Sequence, residues 1–216
     1  MKIMFISDTH NKHHLFNMNK KEYKNIDMII HSGDFSHSKK EGENFMIWYS
    51  ELPFKYKILI PGNHELYIEK NEEEFKRLSK ELGIISLIDE AIEINNIKIY
   101  GSPWTPQFFD WAYMKEDYLL EDIWNKIPLD TQILITHGPQ YGILDGIIQY
   151  GCGYNVGSET LADRIEELKK LKIHTFGHIH EASGAYKENG ILRINASSVN
   201  SKYELREPFV FEFNNV

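Results

Sequence analysis

The chain has 216 residues, 42% of them hydrophobic, which is enough to bury a substantial core as one domain over residues 1–216, and no composition break divides it. Lys and Arg number 24 against 32 Asp and Glu, and the formal charge of −8 excludes a global basic field that would hold long nucleic acids by counterion release. A single cysteine, Cys152, excludes an intrachain disulfide and a thiolate zinc site; with no stretch near the roughly 20 apolar residues of a membrane span and no signal-peptide core, the expected setting is a reducing cytoplasm, off the membrane.

In chain order, an apolar run over residues 3–6 predicts a buried strand and leads into Asp8-Thr9-His10. A second run, 27–31, leads into Gly33-Asp34, and a helix follows over 41–51. The strand predicted at 57–60 leads into Gly62-Asn63-His64-Glu65. Helical spacing over 71–82 places Phe75, Leu78 and Leu82 on one face, with Asn71 as cap and three Glu in the first turn. Runs at 91–94 and 97–100, split by Asn95-Asn96, predict a tight hairpin, because Asn tolerates positive φ.

Residues 101–110 read as a long loop carrying Trp104, Phe108 and Phe109, with Trp111 just beyond, and 118–126 as a helix. The strand at 132–135 leads into Thr136-His137-Gly138, and a second long loop is expected over 138–157. Residues 158–171 form an amphipathic helix with Leu161, Ile165, Leu168 and Leu171 inward. The run at 173–176 leads into Gly177-His178-Ile179-His180, and 191–194 and 209–213 complete the strands. Strands that run into polar blocks, with helices between, predict an α/β layered fold whose site lies at one strand edge.

The blocks share one chemistry. Two Asp, one Asn and four His make an oxygen and nitrogen donor set that suits two divalent transition-metal ions, Mn, Fe or Zn, with Mn first, better than an all-oxygen calcium site. In Asp8-x-His10 and His178-x-His180 an extended backbone would put both side chains on one side. Asp34 has two oxygens and can bridge two ions. Two divalent ions against two Asp carboxylates and one hydroxide leave the site positive, which would attract an anionic substrate to an acidic protein. Folding alone gives no reason for these residues to gather at strand ends in this order. His13, His14, His31 and His174 fall outside the set and read as surface or structural residues; His37, three residues beyond Asp34, is a weak candidate for substrate contact. Cys152 reads as a small packing residue between Gly151 and Gly153.

The order Asp-x-His, Gly-Asp, Gly-Asn-His-Glu, His-Gly and Gly-His-x-His resembles the calcineurin-like metallophosphoesterase superfamily over residues 3–197. Gly101-Ser102-Pro103-Trp104-Thr105-Pro106 and Phe176-Gly177-His178-Ile179-His180-Glu181 are similar to its branch of brain-expressed metallophosphoesterase-domain proteins with bacterial and viral relatives. The resemblance implies a four-layer α/β/β/α sandwich with two mixed β-sheets. It implies that Asp8, His10, Asp34 and His180 hold one metal, that Asp34, Asn63, His137 and His178 hold the other, that His64 acts as the catalytic imidazole, and that Asn195 supports the site from behind. Gln140 and Ala182-Ser183 depart from the branch pattern and bear on the substrate pocket.

The function so implied is hydrolysis of small phosphodiesters, including cyclic nucleotides, by a metal-bridging hydroxide. Trp104, Phe108, Phe109 and Trp111 are candidates to stack a base, or else pack their loop onto the sandwich. A phosphomonoesterase, a nuclease of the same superfamily, and a metal-binding scaffold with little catalysis are the competing readings.

Overall fold

The computed structural model describes residues 1–149 and 152–215. In β1 (Lys2–Ile6), Ile3 and Phe5 face one hydrophobic cluster and Met4 and Ile6 another, all fully buried. Such a strand shows as an unbroken apolar run because neither face meets water. After it come β2 (Met28–His31), α1 (Lys39–Glu51), β3 (Tyr56–Leu59), α2 (Leu66–Glu69), α3 (Glu72–Glu81), β4 (Ile85–Ser86), β5 (Glu90–Ile94) and β6 (Ile97–Ser102). Then follow β7 (Thr105–Pro106), β8 (Met114–Lys115), α4 (Asp117–Trp124), β9 (Ile133–Thr136), β10 (Gly146–Gln149), β11 (Cys152–Asn155), α5 (Glu159–Glu167), β12 (Ile173–Phe176), β13 (Gly184–Glu188), β14 (Ile191–Asn195) and β15 (Phe209–Glu212).

One sheet has the order β15-β1-β2-β3-β4 and the other β13-β14-β12-β9-β6-β5. Each has a parallel centre: in the first sheet only β15, against β1, is an antiparallel edge, β4 running parallel to β3, while in the second both edges are antiparallel, β13 against β14 and β5 against β6. The sheets meet face to face through Ile3, Phe5, Ile30 and Ile58 on one side and Ile99, Ile133, Ile135, Ile173 and Ile194 on the other. Outside the first sheet, Phe45, Met46 and Tyr49 of α1 and Phe75 of α3 cover Met4, Ile6, Ile29 and Leu59. Outside the second, Leu120, Ile123 and Trp124 of α4 and Leu161 and Ile165 of α5 cover Tyr100 and Leu134. The result is the expected α/β/β/α sandwich with two mixed sheets. No helix among the described residues is long and apolar enough to cross a membrane.

The Asn95-Asn96 turn is present, with φ of 51° and 63°. Local departures have local causes. Asn71 stands at the N-cap of α3, but its amide donates to the Tyr67 carbonyl (3.2 Å), so the first turn relies on Glu72, Glu73 and Glu74. Phe75 is buried and Leu78 and Leu82 pack partly buried against the same core, as their spacing predicts, with Ser79 buried beside them. The expected loop at 101–110 begins inside β6 and contains β7, paired with β8. The loop at 138–157 holds the hairpin β10/β11, with residues 150 and 151 outside the described set. Cys152 lies exposed on that hairpin and does not pack. The α5 helix ends at Glu167, yet Leu168 and Leu171 remain buried against it.

Candidate metal centre

β1, β2, β3, β9 and β12 are parallel within their sheets, and each polar block begins at the C-terminal end of one of them. A backbone bridge between Ser7 and Ser197 joins the sheets at this end. The loops brace one another through main-chain bonds: Asp8 N–H to Gly33 O (2.9 Å), His10 N–H to Asp34 O (3.1 Å), and Gly177 N–H to His137 O (2.9 Å). His31 accepts from Gly33 N–H at Nδ1 (3.1 Å) and so donates from Nε2 to Thr9 Oγ1 (3.1 Å), tying two of these loops together.

The spacing argument for Asp8-x-His10 and His178-x-His180 fails in its detail. Asp8, His10, Asp34 and His178 have φ of 51°, 39°, 59° and 67°, and His180 opens a 3-10 turn, so none of the pairs sits on extended backbone. The chain turns sharply as it leaves each strand, and left-handed residues clustered at one place store strain characteristic of a functional site. Gly33, with φ of 99°, supplies the turn before Asp34; a Cβ there would stand 2.6 Å from His137 Nδ1. At Gly177 a Cβ would collide with Asp8 Oδ2 and Ser7 Oγ, so the loop carrying His178 can lie on Asp8 only without a side chain.

Beneath a rim grouping of His10, His37 and His64, two deeper donor clusters result. In the first, ligating atoms of Asp8, His10 and His180 lie within 4.8 Å of one another. His10 Nε2 is 3.1 Å from His180 Nε2, which is 3.3 Å from Asp8 Oδ1. In the second, Asp34, His137 and His178 lie within the same limit. His137 Nε2 is 2.8 Å from Asn63 Oδ1 and 3.4 Å from Asp34 Oδ2.

The second cluster fits a cation. His137 Nδ1 donates to the Ser32 carbonyl (2.9 Å), which leaves the Nε2 lone pair facing two oxygens. Acceptors held that close in a buried pocket repel unless positive charge lies between them. Burial lowers the His137 pKa, yet the Asp34 carboxylate outweighs it and lifts the ring to about 9, a proton here supplying that charge. Burial raises both carboxyls, and the neighbouring imidazoles more than reverse this: His180 chiefly for Asp8 and His137 chiefly for Asp34, each held well below the usual carboxylate range. Burial holds His10 and His178 down to about 4, keeping their lone pairs free.

His64 stands at the rim. Its backbone N–H donates to Asp34 Oδ1 (2.9 Å), its Nε2 is 3.7 Å from Asp34 Oδ2, and burial lowers its pKa. His37 is exposed and stacks on His10, with its Nε2 3.3 Å from His10 Nδ1, so it engages the outer nitrogen of that ring. Asn195 donates to Leu144 O (3.1 Å) and Ile179 O (2.8 Å), fixing the turn between His178 and His180 from behind. Trp104 turns away: its Nε1 donates to Asp89 (3.0 Å) and its ring packs on Tyr113, so it belongs to the loop's own packing. Trp111 is the loop aromatic at the site, 4.5 Å from His64; Phe108 and Phe109 pair with each other in solvent. His13, His31 and His174 are buried structural residues, and Gln140 is occupied by Arg193 (2.9 Å). Ser183 hydrogen-bonds to Asn195 O (3.2 Å) and Ser197 O (3.0 Å).

Three residues were not singled out by sequence. Ser197 Oγ donates to Asp8 Oδ2 (2.8 Å), Tyr203 stands against His10 and His180, and Glu65 clamps the Asp34 loop. The fully buried Glu65 carboxylate accepts from Gly62 N–H (2.7 Å) and Asp34 N–H (3.0 Å) on one oxygen, and from Phe35 N–H (2.9 Å) and Ser36 N–H (2.8 Å) on the other. Burial, with Asp34 adding to it, raises the carboxyl, while the N–H donors oppose this and hold the charged form. With both oxygens filled by donors, no position is left for a proton. Glu65→Gln must set an amide NH2 against two N–H groups and is expected to lose about 2–3 kcal/mol. For a chain of this size that lowers Tm by roughly 5–10 °C in a calorimetric melt. An unchanged Tm would mean that Glu65 is protonated in the fold.

Comparison with known proteins agrees with the architecture. A family profile described as calcineurin-like phosphoesterase matches residues 1–182. Metallophosphoesterase domain-containing protein 1 of Homo sapiens is 32% identical over 84% of this chain and 63% of its own length, so the chain spans less than two thirds of that relative. A UPF0046 protein of Caenorhabditis elegans is 29% identical over 98% of the chain and 74% of its own length. Among solved structures, TT1561 of Thermus thermophilus superposes with a TM-score of 0.66 at 12% identity over 98% of both chains. The phosphopantetheinyl hydrolase of Mycobacterium tuberculosis superposes with a TM-score of 0.60 at 14% identity, covering 94% of this chain and 90% of its own. These two structures share the fold.

Proposed function

Because the chain belongs to the calcineurin-like phosphoesterase family, whose reaction class is hydrolysis of phosphoric esters, we propose that it is a dinuclear-metal-dependent phosphodiesterase acting on small diesters, cyclic nucleotides among them. The observation that carries the reading is the convergence of two donor clusters at the strand ends, with Asp34 a member of one and hydrogen-bonded to the backbone of His64 at the rim. Asp8, His10, Asp34 and His180 would hold one divalent ion, and Asp34, Asn63, His137 and His178 the other, manganese being the favoured metal. Bound there, the ions supply Lewis acidity to the phosphoryl oxygens and a nucleophile drawn from solvent at neutral pH.

The chain's own groups do the rest. A water oxygen adds to phosphorus as the ester P–O bond opposite breaks, and the departing oxygen needs a proton or a hydrogen bond. His64, partly open to solvent, is placed to meet that oxygen from Nε2; burial lowers its ring pKa, so near neutral pH it offers the N–H of a neutral imidazole as a hydrogen bond to the developing charge. The Ser32 carbonyl fixes the His137 tautomer, Ser197 and the His178 N–H orient Asp8, and Glu65 holds the Asp34 loop, so the donors need little reorganisation during the reaction.

A diester presents one negative charge. The rim aromatics His37, His64, Trp111 and Tyr203 carry no fixed positive charge, and the nearby Arg206 guanidinium is engaged by the His180 and Val199 carbonyls, which favours diesters over monoesters. The test is a substrate panel on manganese-loaded protein: bis(p-nitrophenyl) phosphate should turn over at least about tenfold faster than p-nitrophenyl phosphate, single-stranded DNA should remain uncut, and chelation should stop the reaction. Faster hydrolysis of the monoester would make the protein a phosphomonoesterase. Metal binding without hydrolysis of any ester would make it a scaffold.

A further inference from the structure

Tyr203 lies beyond residues 1–182, the part matched by the family profile, and nothing in the sequence pattern points to it. Its ring centroid is 5.2 Å from that of His10 and 5.6 Å from that of His180, standing at 71° and 90° to them. Its backbone has φ of 58°, a left-handed conformation that Gly or Asn adopts readily and a bulky side chain does not. A strained position that keeps an aromatic ring invites a functional reason for the ring.

The surrounding loop is built to hold it. Asn200 Oδ1 accepts from Lys202 N–H and Glu204 N–H (both 2.9 Å), and Tyr203 N–H donates to Asn200 O (2.8 Å). The Arg206 guanidinium binds Val199 O (2.7 Å) and His180 O (2.8 Å), fastening the loop to the turn that carries His180. So anchored, Tyr203 still leaves 41% of its surface open.

On the far side Trp111 is 38% exposed and its ring is 4.5 Å from that of His64. Its own loop is pinned by Ala112 N–H to Asn63 O (3.1 Å). His64 and His180 each lie 5.0 Å from His10, ring to ring, so Trp111 stands against one end of a row of imidazoles bordering the two clusters and Tyr203 against His10 and His180 at the other side.

We propose that Tyr203 is a substrate-contact residue, an aromatic wall on which the flat group of the ester packs while its phosphate meets the clusters. The inference rests on the proposed phosphoesterase reading and narrows its substrates to phosphoesters of nucleosides or other planar aromatic alcohols. Base-on-ring packing is sequence-tolerant and lost on truncation to Ala.

The experiment is a calorimetric titration of the manganese-loaded protein with adenosine 5′-monophosphate and, separately, inorganic phosphate, with manganese content measured for each variant. The wild type should bind the nucleotide at least tenfold more tightly than phosphate. Tyr203→Ala should lose about tenfold of that advantage and raise KM for a cyclic nucleotide by a similar factor, with kcat within threefold; Tyr203→Phe should retain it. An advantage undiminished in Tyr203→Ala, or lost equally in Tyr203→Phe, overturns the stacking wall. Loss of manganese from Tyr203→Ala would make the residue a prop for His10 and His180 and also contradicts the proposal. A wild type that hydrolyses diesters yet binds the nucleotide no better than phosphate refutes this inference and leaves the phosphoesterase reading intact, whereas no hydrolysis of any ester refutes that reading instead.

Discussion

Asp34→Ala is expected to reduce kcat/KM on an aryl phosphodiester by at least about 10³-fold, the loss that follows when several kcal/mol of charge stabilisation in the transition state disappears. The side chain is 2% exposed, lies 3.4 Å from His137 Nε2, and receives the His64 backbone N–H at 2.9 Å. It therefore touches the second cluster and the His64 backbone together, while the neighbouring carboxylates are already engaged: Glu65 is filled by main-chain donors, and Asp8 by His178 N–H and Ser197. A melting experiment separates loss of function from loss of fold. Without metal, the variant should still melt in one cooperative transition, at a Tm lowered by loss of the His64 N–H bond and of the charge paired with His137. Saturating manganese should raise the wild-type Tm, binding at 100 times Kd being worth about 2.7 kcal/mol, and should raise the variant's far less. Turnover within tenfold of wild type would remove Asp34 from the mechanism.

His64→Ala should behave differently. Its imidazole belongs to neither of the two proposed ligand sets, so manganese content should hold while kcat falls by about 10²–10⁴-fold, the range for a positioned general acid. The loss should depend on the leaving group. A p-nitrophenolate departs with little help, whereas the alkoxide of a ribose ring needs a proton, so the deficit should be larger for a cyclic nucleotide than for the aryl ester. Rates on both esters, measured on the same metal-loaded preparation, decide the matter. Equal deficits on the two would reassign the His64 ring from assisting the leaving group to its contact with Asp34, whose Oδ2 lies 3.7 Å from Nε2.

The strands and the gathering of the polar blocks were legible because both rest on short-range pattern. A run such as that before Asp8 is apolar on both faces only if two layers cover it, and parallel strands bring their C-terminal ends to one edge. What lay beyond the sequence depends on distant partners. Glu65 is the last residue of Gly-Asn-His-Glu, but its partners include main-chain donors around Asp34, some thirty residues earlier. Trp104 and Trp111 are indistinguishable as residue types; Asp89 draws one into the loop's packing, while the other stays beside His64. The extended geometry inferred for the two His-bearing tripeptide motifs overlooked that a chain leaving a strand toward a shared centre must turn at once, which the left-handed residues accomplish. Tyr203 acquires its position only after the loop between β14 and β15 closes back over His180.

The most direct test of the whole account is anomalous diffraction from crystals grown with excess manganese, supported by metal content per chain in solution. Two peaks per chain are predicted, one among Asp8, His10 and His180 and one among Asn63, His137 and His178, with Asp34 touching both. No peak at these side chains, or a single ion leaving one cluster as hydrogen-bonded imidazoles, would contradict it.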